Sequence, residues 1–193
     1  MKIGVLAAQG AFAEHIATLR QLGIDAVPVR LPREMEKLDG FIMPGGESTS
    51  ISKLMLDYGL MTEVSNLAKE GLPIFGTCAG MILLARKISD GNGVAPLGLM
   101  DITVRRNAFG RQKDSFEAEL EMPVLGKRPF PAVFIRAPLI ERVKSNVEVL
   151  AKLANGTVVA ARQGKLLASA FHPELTDDLR FHQYFIDIMT GKR

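Results

Sequence analysis

Apolar and polar positions alternate along the first half of the chain with two different periods. Short runs of consecutive apolar residues predict buried strands, and the segments between them repeat apolar residues every three or four positions, which is typical of amphipathic helices. The predicted strands are KIGVLAA, AVPVR, GFIMP and LPIFGT, and the predicted helices are AFAEHIATLRQL, STSISKLMLDY, MTEVSNLAKE and AGMILLARKI. This alternation predicts a parallel sheet covered by helices on both faces.

The second half changes to strands joined by turns. Its predicted strands are LGLMDITVRR, SFEAELEM, AVFIRA, VEVLAKL, GTVVAARQ and KLLASAFH. Asn155-Gly156 and Gln163-Gly164 are hairpin signals, and an amphipathic helix from Asp177 to Met189 closes the chain. We therefore predict one α/β domain over residues 1–193, with a mostly parallel central sheet and a β-rich second half.

Composition excludes several classes of protein. The 193 residues are enough for one domain with its own core. The net charge of +3 is spread along the chain, which argues against nucleic-acid binding. The longest uncharged apolar stretch, Leu72 to Ala85, is too short to span a bilayer. One cysteine and three histidines match no zinc spacing, and a lone cysteine suits a reducing compartment, so we expect a cytoplasmic protein without a metal.

The single cysteine lies where a predicted strand meets a predicted helix, in Gly76-Thr77-Cys78-Ala79-Gly80. The pattern G-x-C-x-G is the cysteine version of the nucleophile elbow. Such a turn is so sharp that only small residues fit two positions before and after the nucleophile. The motif therefore favours Cys78 as a nucleophile at the carboxyl end of the sheet. The alternative is a buried structural cysteine among packing glycines.

The segment SAFHPEL supplies a candidate base and its orienting carboxylate. Pro173 keeps His172 extended, and in an extended backbone His172 and Glu174 point to the same side. We expect Glu174 to fix the tautomer of His172, which would act as the base; the alternative is a strand-end histidine beside a solvated glutamate. The other histidines, His15 and His182, are expected on solvent-exposed helix surfaces.

A third candidate element is the loop PGGEST, from Pro44 to Thr49. Two adjacent glycines allow the backbone to approach a ligand and to direct amide groups toward it. The alternative is a plain turn before a helix. The loop has no lysine at Walker spacing, which argues against a phosphate site.

Together, the elbow cysteine, the distant His-Pro-Glu and the Pro-Gly-Gly loop resemble the class I, triad-type glutamine amidotransferases. A narrower resemblance, to the glutaminase subunits of pyridoxal phosphate synthases, covers the chain from Met1 to its C-terminal helix. It rests on AAQGAFAEH, PGGEST, GTCAGMILLA, RRNAFGRQKDSFE, VFIRAP and FHPELTDD. Arg105 is basic where relatives often carry an acidic residue. The resemblance implies a three-layer flavodoxin-like domain.

The resemblance also implies a reaction and a set of site residues. The reaction is hydrolysis of L-glutamine to L-glutamate and ammonia through a γ-glutamyl thioester on Cys78, with no cofactor. The backbone amides of Gly46 and Ala79 would form the oxyanion hole. The residues implied to bind glutamine are Gly46, Glu47, Ser48, Arg106, Ile135 and Arg136.

A partner protein is implied as well. Family members pass ammonia to a synthase subunit, a (β/α)₈ barrel, within a heteromeric complex that makes vitamin B6. Gln9, Gly10, Glu14 and His15 match a segment that lies near this partner in relatives, and packing of the first loop is the alternative reading. Two rival functions remain at this point. One is a γ-glutamyl peptide hydrolase or another cysteine hydrolase on the same scaffold, and the other is a non-catalytic binding module.

Overall fold

The computed structural model describes residues 1–90, 93–108 and 115–193. Within these ranges the chain forms five α-helices and twelve strands. The helices are α1 Phe12–Gln21, α2 Ser48–Asp57, α3 Leu60–Lys69, α4 Ala79–Leu84 and α5 Arg180–Met189. The strands are β1 Lys2–Leu6, β2 Asp25–Val29, β3 Gly40–Met43, β4 Ile74–Thr77, β5 Ala85–Ile88, β6 Met100–Arg105, β7 Ser115–Leu120, β8 Phe130–Ile135, β9 Leu139–Val143, β10 Glu148–Lys152, β11 Val158–Gln163 and β12 Leu166–Ser169.

The main sheet has the strand order β2-β1-β3-β4-β12-β11-β9-β6-β5, and β10 pairs with β11. The first five strands of that order are parallel. The following pairs are antiparallel until β5, which lies parallel to β6, and β7 and β8 form a separate antiparallel pair. The predicted fold class is confirmed, and β2, which contains Pro28, lies at an edge as expected.

The parallel half of the sheet positions the site. Strands β3, β4 and β12 are direct neighbours, with Met43 beside Gly76 and Thr77 beside Ser169. Their carboxyl ends therefore meet at one edge of the sheet, where open α/β folds bind ligands. The Gly45-Gly46 loop, Cys78 and His172 each follow one of these strands.

The core is apolar and continuous on both sides of the sheet. Phe75 on β4 contacts the rings of Phe181 and Phe185 on α5 and the imidazole of His15 on α1. Helix α2 packs instead against α3 and α4. Burying one large apolar side chain contributes about 1.5–3 kcal/mol to the free energy of folding. The packing of α1 and α5 against β4, and of α2 against α3 and α4, therefore stabilises the ends of the strands.

The prediction of one helix over AGMILLARKI was wrong in its second half. Helix α4 ends at Leu84, and all six of its residues are buried. Ala85–Ile88 forms β5, which pairs with β6, and Arg86 contacts Asp101 at 2.6 Å. A short run that is apolar on every side does not show by its period whether it is a helix or a strand.

Two further differences concern the second half of the chain. Strand β9 was not predicted. Helix α5 begins at Arg180, three residues later than predicted, because Asp178 accepts hydrogen bonds from the backbone N–H and the guanidinium of Arg180 ahead of the helix. In the described part of the chain, no helix is long and apolar enough to cross a membrane.

Candidate active site

Cys78 occupies a strained backbone position between β4 and α4. Its φ of 49° and ψ of −103° are rare for a residue with a side chain. The hydrogen bond from its backbone N–H to the carbonyl of Ser169 on β12, at 2.8 Å, holds the turn. The sulfur lies 4.0 Å from the carbonyl oxygen of Ile135. This is the geometry of a nucleophile elbow, in which the backbone of one residue is strained.

Two glycines make room for this turn, and a third makes room for the imidazole of His172. A Cβ on Gly76 would lie 2.5 Å from the carbonyl carbon and oxygen of Gly80, and a Cβ on Gly80 would overlap the carbonyl of Met43. The steric requirement predicted for these two glycines is therefore present. A Cβ on Gly45 would overlap the imidazole of His172, so the first glycine of the PGGEST loop is needed for close packing against the site.

His172 and Glu174 form a buried pair behind the cysteine. Nδ1 of His172 lies 2.7 Å from Oε1 of Glu174, so Nδ1 carries the proton and Nε2 is the nitrogen left for the cysteine. The contact forms because Pro173–Leu175 is a 3-10 turn, not because the backbone stays extended as the sequence suggested. The backbone N–H of His172 donates to Val133 on β8 at 2.8 Å.

The protonation states of this pair follow from their surroundings. Burial opposes the charged form of His172, but the hydrogen bonds and charges of Cys78 and Glu174 outweigh it and raise the pKa of His172 to about 10. Burial likewise opposes the charged form of Glu174, but the neighbouring His15 and the hydrogen bond from His172 hold its pKa below the ordinary value. The site thus contains an imidazolium held by a carboxylate.

The expectation that His15 and His182 are solvent-exposed was wrong. Both side chains are completely buried. Nδ1 of His15 lies 2.8 Å from Nε2 of His182, and Nε2 of His15 lies 3.2 Å from Oε2 of Glu174. Sequence reasoning missed this arrangement because His15 and His182 are 167 residues apart along the chain.

A pocket of about 240 Å³ opens at Cys78. This is below the ~300–1,000 Å³ of pockets for drug-sized ligands, which suits a molecule of amino-acid size. Cys78 and His172 line it. All six residues implied to bind glutamine also line it: Gly46, Glu47, Ser48, Arg106, Ile135 and Arg136. Ile82 and Asn107 complete the wall and were not predicted, although Asn107 lies within the quoted RRNAFGRQ stretch.

Backbone strain concentrates at the same pocket. Among the described residues, four that are not glycine have positive φ: Lys37, Cys78, Asn107 and Arg136. The last three, with φ of 49°, 44° and 41°, all line the pocket. Such conformations persist only where the surrounding structure enforces them, and they cluster at functional sites. The positive φ of Asn107 marks it as a candidate site residue, and this backbone strain cannot be read from the sequence.

The pocket carries opposite charges at one end. Glu47 is the N-cap of α2 and accepts hydrogen bonds from the backbone N–H groups of Thr49 and Ser50, at 3.0 and 2.7 Å. Despite some burial, these bonds lower the pKa of Glu47 to about 2. A guanidinium nitrogen of Arg106 lies 3.7 Å from Glu47 and 3.5 Å from the hydroxyl of Thr49. The pocket can therefore bind a ligand that carries both an ammonium and a carboxylate.

The two backbone amides expected to form the oxyanion hole come from two different elements. Ala79 is the first residue of α4, directly after Cys78, and Gly46 is part of the pocket wall with a φ of 151°. The carbonyl of Gly45 faces Gly10 so closely that a Cβ on Gly10 would overlap it. In a trans peptide the N–H points away from the carbonyl, so the N–H of Gly46 points away from Gly10.

The four residues assigned to a partner or to activation do not share one environment. Gln9, Gly10 and Glu14 are exposed, whereas His15 is buried and cannot touch a partner in this conformation. The side-chain oxygen of Gln9 accepts a hydrogen bond from the backbone N–H of Glu47 at 3.2 Å. The exposed loop before α1 is thus tied directly to the wall of the pocket.

The RRNAFGRQ motif is described only in its first half. Residues 109–114, which include the end of RRNAFGRQ, are outside the described residues, as are residues 91 and 92. Within the described ranges, no group of three or more His, Cys, Asp or Glu side chains is arranged to hold a metal ion.

Comparison with known proteins gives consistent matches along the chain. The SNO glutamine amidotransferase family matches residues 5–190. Pyridoxal 5'-phosphate synthase subunit PdxT of Herpetosiphon aurantiacus is 58% identical, covering 97% of this chain and 100% of that protein. The subunit of the same name from Dehalococcoides mccartyi is 60% identical, covering 97% of each chain. A crystal structure of a glutamine amidotransferase has a TM-score of 0.92 at 50% identity, covering 97% of this chain and 98% of that one.

Proposed function

The chain belongs to the SNO glutamine amidotransferase family, and we propose that it is the glutaminase subunit of a pyridoxal 5'-phosphate synthase. It hydrolyses L-glutamine to L-glutamate and ammonia for vitamin B6 biosynthesis, and residues 1–193 form a single glutaminase domain. One observation carries the proposal most directly. The strained Cys78 opens into an amino-acid-sized pocket that also contains the His172–Glu174 pair.

The first half of the reaction makes a thioester. The Cys78 thiolate attacks the side-chain amide carbon of glutamine and forms a tetrahedral oxyanion. The C–N bond then breaks, and His172 gives its proton to the leaving nitrogen, which departs as ammonia. The raised pKa of His172, about 10, supports this role because the imidazole holds a proton at neutral pH.

The second half returns the enzyme to its starting state. Water attacks the γ-glutamyl thioester and gives a proton to His172, which is neutral after the first step. The C–S bond breaks, glutamate leaves, and the thiolate is restored beside the imidazolium. Glu174 stays ionised throughout and keeps Nε2 of His172 directed toward the sulfur, as the orienting carboxylate of a triad does.

The oxyanion and the substrate's head group have separate binding elements. The backbone N–H groups of Ala79 and Gly46 donate to the oxyanion, and loss of one such donor typically slows a reaction by about a hundredfold or more. Arg106 and Arg136 bind the α-carboxylate, and Glu47 accepts the α-ammonium. The remaining pocket residues assigned to glutamine are Ser48 and Ile135, which border the substrate.

The ammonia passes to a synthase subunit, a (β/α)₈ barrel, in a heteromeric complex. The names of the two relatives, each a synthase subunit, support this partner. Gln9, Gly10 and Glu14 are exposed at the start of α1 and are the candidate contact or activation residues. We place the complex in the cytoplasm, which is consistent with a chain that has one free cysteine.

The test is glutamate release from free glutamine, measured with and without an added synthase subunit. We expect release that rises on adding the partner. Cys78→Ala and His172→Asn should each abolish it while the domain stays folded, and Glu174→Ala should retain more activity because Glu174 orients His172 and does not react. A folded wild-type protein that releases no glutamate in either condition but cleaves γ-glutamyl peptides would contradict the proposal and favour the peptide-hydrolase alternative.

A further inference from the structure

The reaction described above leaves a pair of buried titratable groups without a role. His15 on α1 and His182 on α5 lie directly behind the catalytic carboxylate and are fully buried. Their rings are 5.0 Å apart, and each lies about perpendicular to the ring of Phe75, at 89° and 78°. Two adjacent buried imidazoles are costly to desolvate, so the placement of His15 against Glu174, with His182 in contact with His15, calls for a function.

The contacts determine which nitrogen carries each proton. Nε2 of His15 faces the carboxylate oxygen Oε2 of Glu174 at 3.2 Å and the hydroxyl of Thr77 at 3.3 Å. A carboxylate only accepts hydrogen bonds, so Nε2 of His15 is the protonated nitrogen. Nδ1 of neutral His15 is then an acceptor, and it takes the proton of Nε2 of His182 at 2.8 Å.

The far end of the pair supports the same assignment. Nδ1 of His182 is buried and has no hydrogen-bond partner among the described residues. A bare nitrogen is tolerated there better than an unpaired N–H, because orphaned buried donors are rarer than orphaned acceptors. Burial, together with the neighbouring His15, lowers the pKa of His182 to about 3, so His182 is neutral at pH 7.

We propose that His15 is a positioning residue of the glutaminase, which holds the second oxygen of Glu174 with its Nε2–H and thereby fixes the carboxylate for His172. This inference rests on the proposed function. The catalytic triad then continues as a chain from Cys78 through His172, Glu174 and His15 to His182. In this series of contacts, Nδ1–H of His172 and Nε2–H of His15 face the two oxygens of Glu174. Nε2–H of His182 faces Nδ1 of His15.

The charges around His15 are compatible with a neutral donor. Burial lowers the pKa of His15, and the charge of His172 lowers it further, whereas Glu174 and, more weakly, Glu14 raise it. His182 on α5 is a second imidazole in contact with His15, and its lowered pKa leaves it uncharged at pH 7. Glu174 is the only one of these groups in direct contact with Nε2 in the described part of the chain.

The role of His15 follows from what Glu174 lacks without it. Oε2 of Glu174 is buried, and Nε2 of His15 faces it at 3.2 Å in an ion-pair contact that is not aligned as a full hydrogen bond. Only Oε1 is bound to His172. Without the N–H of His15, the carboxylate could rotate or take up a proton, and His172 would lose the anion that stabilises its charged form.

The first test reads the protons directly in the wild-type chain. Imidazole ¹⁵N labelling and long-range ¹H–¹⁵N NMR at pH 7 should show both His15 and His182 as neutral rings protonated at Nε2. A neutral His15 protonated only at Nδ1 would overturn the proposal, because no N–H would then face Glu174. This measurement does not require a variant that folds.

The second test compares variants in the complex with the synthase subunit. His15→Phe removes the donor and keeps a buried ring, His15→Gln offers an amide N–H near the position of Nε2, and Ile16→Ala disturbs the same buried face of α1. We expect His15→Phe to lower kcat by about tenfold, the size of one hydrogen bond to a charged group, without a matching rise in KM. His15→Gln should recover most of kcat, and Ile16→Ala should leave it unchanged.

A measurement that needs no glutamine separates the positioning role of His15 from the proposed glutaminase activity. The rate of Cys78 alkylation by iodoacetamide, followed against pH in the isolated chain, reports the thiolate alone. We expect its midpoint to move to higher pH in His15→Phe, because Glu174 takes up a proton more readily there, and to return in His15→Gln. If folded His15→Phe matches Ile16→Ala in both kcat and alkylation midpoint, His15 is structural only. If wild type releases no glutamate but the midpoint shifts, only the proposed function fails.

Discussion

Gly45 and His172 are packed so closely that one added methyl group on Gly45 would overlap Cε1 of the imidazole and come within 3.2 Å of Cβ of Cys78. The imidazole of His172 therefore rests against the backbone of Gly45, without a side chain between them. This contact limits where the imidazole can lie. It also explains the first glycine of the PGGEST loop by packing, independently of any ligand.

The substitution Gly45→Ala tests this contact. The added methyl group should displace His172 from Cys78, and a displacement of about 1 Å can cost about a hundredfold in rate. Glutamine hydrolysis should fall by that amount while circular dichroism stays unchanged. Gly98→Ala is the control for a general loss of stability, because a Cβ there meets nothing within 4 Å and only the positive φ of 69° opposes the substitution. Equal activity of the two variants would contradict the packing argument.

Removal of the cysteine should change the titration of His172. In the wild type we expect the Cε1 proton resonance of His172 to stay at its protonated position through neutrality and to titrate only as the pH rises through about 10. Cys78→Ala removes the sulfur's hydrogen bond and charge, so the midpoint should move to lower pH. NMR titration of both proteins measures it, with His172→Asn to assign the resonance. Identical midpoints would show that the sulfur does not stabilise the imidazolium.

Glu47 should contribute to stability only above a low pH. Its pKa is lowered from 4.5 to about 2 in the folded chain, so its contribution is complete above about pH 4.5 and is lost as the pH falls through about 2. Glu47→Ala removes the N-cap of α2, and loss of a cap costs about 0.5–2 kcal/mol. Urea unfolding should show a wild-type advantage at pH 6 that shrinks toward pH 2.

The control for Glu47 is Glu36→Ala, at an exposed carboxylate. Its free energy of unfolding should differ little from that of the wild type at either pH. A wild-type advantage over Glu47→Ala that stays constant from pH 6 to pH 2 would mean that the carboxylate charge is not what caps α2.

Arg106→Lys should weaken glutamine binding more than it slows chemistry. Lysine keeps the charge but loses the planar pair of donors that fits a carboxylate, so we expect KM for glutamine to rise by about tenfold, the equivalent of one charged hydrogen bond. Arg105→Lys is the neighbouring control, because Arg105 contacts Glu141 at 3.4 Å and does not line the pocket. A similar KM in both variants would remove Arg106 from the glutamine site.

Local sequence rules predicted the elements that position Cys78 and the pocket beside it. Gly76 and Gly80 predict the sharp turn at Cys78, because the turn is possible only where these two positions lack a Cβ. The apolar runs that became β1, β3 and β4 predicted buried parallel strands, and Asn155-Gly156 and Gln163-Gly164 predicted the turns around β11. Each of these signals lies within a few residues of its consequence.

The features that were missed depend on contacts between distant parts of the chain. His15 lies on the face of α1 that is buried, but a histidine on a helix gives no sign of a partner 167 residues away. The strand β5 was read as helix because its pairing with β6 decides its conformation. Tertiary contacts override local preference in both places.

The narrow pocket also determines which oxidants can damage the protein. Cys78 is only 7% exposed, at a pocket of about 240 Å³, so we expect bulky disulfides to reach the sulfur slowly, whereas hydrogen peroxide is small enough to enter. The chain has no second cysteine, and a sulfenic acid formed on Cys78 has no resolving thiol within the chain. We therefore expect recovery from peroxide to depend on external thiols small enough to enter this pocket.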